Sequence, residues 1–428
     1  MVAGCVIALL LLLLAIGMPV GYATAFAGAV GVFWVSGWGS VLAFLKDVPL
    51  TVSSENVLAT IPMFILMAEF MLRSGIVDDI FEALDAWIGG IRGGLGVVTI
   101  LTGAGFAAVS GSSTAAAAAM APTTIPQMMR RGYRGSMAAG LCAVVGTLAI
   151  MIPPSNGLIL YAVIADVSIG KMLVAGIIPG LIATAFLVVC LYVVLLRHPD
   201  WGPANKRDIS WRRKLLLLQK VGPMLALVAL SIGLIYLGIA TATEAGALGA
   251  FGAFVILILK RRLTMRTLLE ALVSTARTST MITMFIIGAQ ITGYFLTLSQ
   301  VSQDLVAYLA AAHISRYAVL AAALGLHLVL GVFMEQISIL VLIVPITLPI
   351  ITALGFDPIW YGILNTLLAE IGLVMPPIGL NLFVVQRYSK QSLADIFEGV
   401  IPFMAGLVLL AFVLVVFPSL SLWLPSHM

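Results

Sequence analysis

The residues in this chain whose types could do chemistry sit in short polar breaks inside long apolar runs. The first set is Ser110-Gly111-Ser112-Ser113-Thr114, with Gly146-Thr147 and Ile152-Pro153-Pro154-Ser155-Asn156 downstream. The second is Glu335-Gln336, with Glu370, Gly372, Met375-Pro376-Pro377-Ile378-Gly379 and Asn381 downstream. In hydrocarbon every backbone N–H and C=O needs a partner. Non-helical backbone at depth therefore persists only where it lines a polar cavity or binds something. A Pro-Pro pair removes two donors and frees carbonyls one turn earlier. In the first set those carbonyls lie beside hydroxyl and amide oxygens, and the Ser-rich tip could face them. Neutral oxygens with half-helix ends make a cage suited to sodium. The plainer alternative is that Gly and Ser only allow close helix packing, but their recurrence in both halves favours an ion site. Glu335 could balance a cation, carry a proton or cap a half-helix, because an ionisable group inside a span is costly and usually functional. Asn156 and Asn381 lie at similar depths as candidate ligands. Glu69, Glu370, Asn365 and Gln290 read as hydrogen-bonding groups between packed helices.

The two sets belong to a duplicated unit. Sliding the chain along itself by 223 residues places Thr60 on Thr283, Pro122 on Pro345, Pro126 on Pro349 and Gly132 on Gly355, with no gap. It also places Pro153-Pro154 on Pro376-Pro377, Gly176 on Gly399 and Pro179 on Pro402. An opening pair of spans repeats at an offset of 221, with Gly17, Gly28 and Gly31 meeting Gly238, Gly249 and Gly252. Matched, Pro/Gly-interrupted apolar segments in two halves are the sequence pointer to a secondary transporter's binding site.

The elements that must position these groups are membrane helices. The 428 residues are 62% hydrophobic and 9% charged, with mean hydropathy +1.16, and uncharged runs of this length read as spans. Scaffold spans are expected at 3–16 and 20–38 (or one kinked span) within 1–56, with 41–55 too charged to face lipid at depth. The first repeat, 57–197, holds a span at 57–73, an interfacial helix at 77–92, a re-entrant hairpin at 93–132, a broken span at 136–165 and a span at 172–197. A basic cytoplasmic linker covers 198–220. Scaffold spans at 221–239 and 243–259 fill 221–277. The second repeat, 278–428, holds a span at 278–298, an interfacial stretch at 299–316, a hairpin at 317–355, a broken span at 359–388 and a last span at 396–425.

Charge placement orients this plan. With both termini periplasmic, only Lys46, Lys171 and Arg316 of the 22 bases lie outside, a strong positive-inside bias. The two hairpins then enter from opposite faces, so the repeats are inverted, the symmetry used by alternating-access carriers. The basic excess is explained by topology and is no evidence of an anion site. No basic cluster with interleaved aromatics points to nucleic acid. The opening residues have no basic n-region and read as a retained first span. Cys5, Cys142 and Cys190 lie in apolar segments as small core residues, and the four histidines form no ligand pattern. There is no GxxxxGK[ST] loop and no nucleophile elbow, so neither ATP hydrolysis nor an enzyme is expected.

The motifs SGSSTAAAAAMAPTTIPQMMRRGY (110–133), GTLAIMIPPSNGLILYAV (146–163), SIGKMLVAGIIPGL (168–181), GIATATEAGALGAF (238–251) and MPPIGLNLFV (375–384) together resemble the large membrane subunit of TRAP (tripartite ATP-independent periplasmic) transporters. The resemblance covers nearly the whole chain. It implies an all-α, elevator-type inner-membrane carrier with two re-entrant hairpins and two Pro-Pro-broken spans. It would import small organic anions such as a dicarboxylate, sialic acid or a sugar acid. Sodium would be the coupling ion, with a separate four-helix membrane subunit and a periplasmic substrate-binding protein as partners. Carried over motif by motif, one sodium site falls on Ser110, Gly111, Ser112, Ser113, Gly146, Thr147 and Pro153. A second falls on Glu335, Gln336, Gly372, Met375, Pro376 and Gly379. Ser112, Ser113, Asn156, Gln336 and Asn381 become the substrate contacts. The sequence departs from many relatives at Met375, where a Thr is usual, and at Asn156, where an apolar residue is usual. The alternative is a self-sufficient sodium/dicarboxylate-type carrier that needs no binding protein.

Overall fold

The computed structural model describes residues 2–203 and 210–428, and among them every regular element is helical. The N-terminal part is α1 (Val2–Ala15), α2 (Val20–Ser54), α3 (Thr60–Arg73) and α4 (Ile76–Ile88). A helical hairpin follows, α5 (Gly94–Ser110) and α6 (Ser113–Arg130). Beyond it lie the interrupted run α7 (Gly135–Gly146), α8 (Leu148–Met151) and α9 (Asn156–Ile164), then α10 (Ile169–Ala175) and α11 (Ile177–Arg197). The second half has α12 (Trp211–Tyr236), α13 (Ala242–Leu259), α14 (Met265–Leu298) and α15 (Val301–Ala311). Its hairpin is α16 (Arg316–Gly331) and α17 (Gln336–Ala353), followed by α18 (Pro358–Leu373), α19 (Leu380–Ser389), α20 (Leu393–Val416) and α21 (Ser419–Leu422). Among the described residues eight helical stretches are long and apolar enough to cross a membrane. The pair Gly135–Met151 and Asn156–Ile164, bent by 45°, makes a ninth.

The offset that aligns the prolines also aligns the helix ends. α6 starts at Ser113 and α17 at Gln336, α7 starts at Gly135 and α18 at Pro358, and each pair is 223 apart. Gly132 and Gly355, which close the two hairpins, sit at φ 82° and 81°, a conformation cheap only for glycine. Both second hairpin helices carry two interior prolines at matching places.

Close helix approach depends on small residues. A Cβ on Gly28 of α2 would lie 2.9 Å from the Thr292 backbone nitrogen of α14, and Thr292 Oγ1 donates to Thr24 O at 3.0 Å. A Cβ on Gly331 would lie 2.8 Å from Gly372 Cα, so α16 and α18 touch backbone to backbone. α3 meets α13 through a 2.6 Å bond between the Thr60 and Thr243 hydroxyls.

The amphipathic α4 is a strut with two charged faces. Asp78 and Asp85, two turns apart, face α6: Thr123 Oγ1 donates to Asp78 at 2.7 Å, and both Arg131 terminal nitrogens donate to Asp85 at 2.6 Å. Glu82 lines the same cleft as those two acids and pairs with Lys220 and Arg213 of α12, while Asp79 turns aside toward Lys260 at the end of α13.

Several boundaries differ from the sequence reading. Residues 41–55 are not a separate charged segment. α2 turns at Gly37 (φ 78°) and continues as helix to Ser54. Val41, Val48 and Val52 are buried at helical spacing while Lys46 and Asp47 point outward. The first helices are two, parted at Gly17 (φ 85°). The linker 198–220 is helical from Trp211 onward, and Leu217 and Val221, one turn apart, already pack inward. Lys206 and Arg207 lie outside the described residues. The last span stops at Val416, before Pro418, rather than reaching 425.

Candidate ion and substrate cavity

Each hairpin tip brings one helix C-terminus and one helix N-terminus to the middle of the molecule. In the first, α5 ends at Ser110, Gly111 takes the left-handed conformation (φ 60°), and extended Ser112 is the N-cap of α6 without a side-chain capping bond. Ser110 Oγ donates to Ser112 O at 3.2 Å. A Cβ on Gly111 would lie 3.1 Å from Asn156 N and 3.2 Å from Asn156 Cγ, so only glycine fits against the break at Pro153-Pro154. In the second tip, extended Glu335 is the N-cap of α17, and it too caps nothing with its side chain. Ser155 does cap α9, accepting from Leu158 N at 3.3 Å, and Asn156 and Gly157 form its buried first turn.

These segments close around a cavity of about 160 Å³ lined by Gly111, Ser112, Ser113, Thr114, Asn156, Gly157, Glu335 and Gln336. Ile150, Ile337, Leu373 and two residues of α14, Thr278 and Met281, complete its wall. Gln336 is 1% exposed, and neither amide atom has a hydrogen-bond partner. A buried amide left this way costs about 1–3 kcal/mol. Its Nε2 would lie 2.6 Å from a Cβ on Gly157, so α17 and α9 meet at a glycine across the wall. Glu335 is the charged residue among those lining the cavity. The dipoles of α6, α9 and α17 present N–H groups there, favouring an anion, while the end of α5 presents carbonyls, favouring a cation.

The structure sorts the expected site residues into the wall and the layer behind it. Gly111, Ser112, Ser113, Asn156, Glu335 and Gln336 share the cavity. Asn381 lies behind it, fully buried. Its Nδ2 donates to Ser113 Oγ at 2.8 Å and to Ala143 O at 3.3 Å, and its Oδ1 is unpartnered. Thr147 spends its hydroxyl on Val144 O at 2.6 Å. A Cβ on Gly146 would lie 3.0 Å from Ser113 O, so Gly146 seats the first tip. Ser110, Pro153, Gly372, Met375, Pro376 and Gly379 do not line this cavity: the first donates within the tip, and the others shape the breaks. Glu69 accepts from Ser274 at 2.5 Å and pairs with Arg73, whereas Glu370, beside Ser113, is fully buried with neither oxygen in a bond of normal geometry. Thr278 and Met281 were invisible to sequence reasoning. Their three-residue spacing puts them on one helix face, but nothing in the chain says which face meets the tips.

Two solved structures share this fold. The YdaH transporter of Alcanivorax borkumensis superposes with TM-score 0.67 at 12% identity, covering 90% of this chain and 89% of that one. MtrF of Neisseria gonorrhoeae gives 0.61 at 13%, covering 92% and 85%. The all-helical fold of this chain is therefore shared with both. The family model for the tripartite ATP-independent periplasmic transporter, DctM component, matches residues 7–420, and the chain belongs to this family as a TRAP transporter large membrane subunit. It is 34% identical over 400 residues to the C4-dicarboxylate TRAP transporter large permease protein DctM of Pseudomonas aeruginosa, covering 92% of this chain and 93% of that one. It is 29% identical to the sialic acid TRAP transporter large permease protein SiaM of Vibrio cholerae, covering 97% and 96%. A third relative, the isethionate TRAP transporter permease protein DctMQ of Oleidesulfovibrio alaskensis, is 30% identical, covering 96% of this chain and 64% of that protein.

Proposed function

We propose that the chain imports a small organic anion coupled to sodium, by alternating access of an elevator type, from a periplasmic binding protein into the cytoplasm. The observation that carries this reading is the cavity shared by both hairpin tips, where helix N-termini and C-termini meet around unpartnered Gln336. Helix N-termini stabilise a carboxylate and the carbonyl ends a sodium ion, without any basic side chain. Ser110, Gly111, Ser112, Ser113, Gly146, Thr147 and Pro153 are assigned to one sodium site. Glu335, Gln336, Gly372, Met375, Pro376 and Gly379 are assigned to the other. Ser112, Ser113, Asn156 and Gln336 contact substrate, and Asn381 holds Ser113. The relatives named for C4-dicarboxylate, sialic acid and 2,3-diketo-L-gulonate support an organic acid as cargo. The longer DctMQ relative supports a small membrane subunit as partner. The chain is placed in the bacterial inner membrane with both termini periplasmic, the orientation that keeps most bases inside.

The test is thermal unfolding of the purified chain in sodium against potassium at equal ionic strength. A ligand that binds only the folded state adds RT ln(1 + [L]/Kd), about 2.7 kcal/mol at a hundredfold excess. The expected result is a sodium-specific rise that Ser112→Ala or Gln336→Ala reduces. Equal midpoints in the two salts would refute sodium coupling at this cavity. Uptake that persists without any binding protein would favour the self-sufficient carrier instead.

A further inference from the structure

A cluster at the corner of α4 and α12 takes no part in the cavity. Trp87 of α4 and Trp211, the first residue of α12, meet edge-on with centroids 5.6 Å apart. Trp87 Nε1 donates to Lys214 O at 3.3 Å. The Lys214 ammonium lies 5.1 Å from the Trp211 ring centre and 5.7 Å from that of Trp87. Arg212 beside it is exposed and makes no ion pair among the described residues, and Arg213 reaches Glu82 only at 3.7 Å. The first turn of α12 holds no acid, and the next residues of the stretch, Leu215, Leu216 and Leu218, are exposed and apolar.

An ordered ammonium over two indoles, the exposed guanidinium of Arg212 and an exposed leucine face call for one amphipathic anion. Its phosphate would lie at Arg212 and Lys214, the indoles at headgroup level, and the acyl chains along the leucines. A soluble phosphate would use the bases but leave the leucines uncovered. We propose that this corner binds the headgroup of an anionic phospholipid. Arg213, drawn to the phosphate, would release Glu82 on one face of α4. One turn further along the same cleft, Asp85 of that strut holds Arg131 of α6, so bound lipid would reach the first hairpin. The proposal is independent of the sodium reading.

The experiment measures lipid retained by the full chain in native mass spectrometry, offering phosphatidylglycerol or phosphatidylcholine. Thermal unfolding with each lipid or with inorganic phosphate runs in parallel. Wild type should retain and be stabilised by phosphatidylglycerol in preference to phosphatidylcholine, with no effect of inorganic phosphate. R212Q/K214Q should bind phosphatidylglycerol about thirtyfold more weakly, from the usual contribution of two bases at a membrane surface. The charge-conserving R212K/K214R should keep binding, which separates lost charge from misfolding. R266Q, at a base of α14 paired with Glu270 on its own helix, should match wild type. Equal retention by wild type and R212Q/K214Q would overturn the proposal. So would stabilisation reproduced by inorganic phosphate, or displacement of the lipid by a co-expressed small membrane subunit.

Discussion

Gly157→Ala tests whether the cavity works through Gln336. A methyl at 157 would sit 2.6 Å from Gln336 Nε2, 2.7 Å from Ile150 Cγ2 and 3.1 Å from Gln336 Cδ. Real contacts are near 3.5–4 Å, so about 1 Å of movement is required. Ile150 is 4% exposed and held in a packed core, whereas the Gln336 amide is the free end of a side chain facing a cavity, so Gln336 gives way. The strain itself costs about 1–3 kcal/mol of stability. Losing one buried amide contact to a bound ion or carboxylate costs a further 1–3 kcal/mol in affinity, roughly five- to 150-fold. The apparent sodium Kd is read from the unfolding midpoint against sodium concentration, and the substrate Kd in the same way. Gln336→Ala should weaken binding by a similar factor, with less loss of stability in potassium. In Gly157→Ala/Gln336→Ala the binding losses should not add, because both act on the same amide. Additive losses, or unchanged sodium and substrate dependence in Gly157→Ala, would refute the argument.

Further outcomes follow from the geometry. Gly331→Ala should lower the unfolding midpoint sharply, since its methyl meets the Gly372 backbone. Gly293→Ala, on α14 with open space around it, should leave the midpoint unchanged or raise it by the helix preference of Ala, about 0.5–1 kcal/mol. Arg131→Gln should cost about 1–2 kcal/mol, less than a dry-interior pair because one edge of Arg131 and Asp85 opens on a cleft of about 800 Å³. The exchange Arg131→Asp/Asp85→Arg should recover part of that loss in a thermal-shift assay. Asn381→Leu should weaken sodium binding by roughly tenfold by freeing Ser113 to turn, and an unchanged sodium titration would show that Ser113 needs no brace.

The parts legible in the sequence are those that punctuate the backbone. Prolines and glycines fix local φ or remove a donor wherever they stand, so Gly132, Gly355 and the Pro-Pro pairs marked the hairpins and breaks, and the offset of 223 carried through to the helix starts. The course of α2 is not legible in the sequence: Lys46 and Asp47 mask a helix whose only local signal is the seven-residue spacing of Val41 and Val48. The wall residues Thr278 and Met281 and the bond from Asn381 to Ser113 were hidden for another reason. They depend on which helix faces which, and pairs 268 residues apart leave no local pattern.

That same bond, with Gln336 lying against Gly157, bears on how the molecule is made. The tip of the first hairpin is held by a helix near the end of the chain, and the tip of the second rests on a helix from the first half. During synthesis the early half emerges without the partner that holds Ser113 in place. It must wait, or be shielded, until residue 381 has been inserted. Split at the basic loop, the chain should yield two fragments that are each half a site and that recover the cavity only when expressed together. The duplicated ancestor implied by the repeat would have met the same requirement as a two-chain assembly, with its ligands bound at the seam.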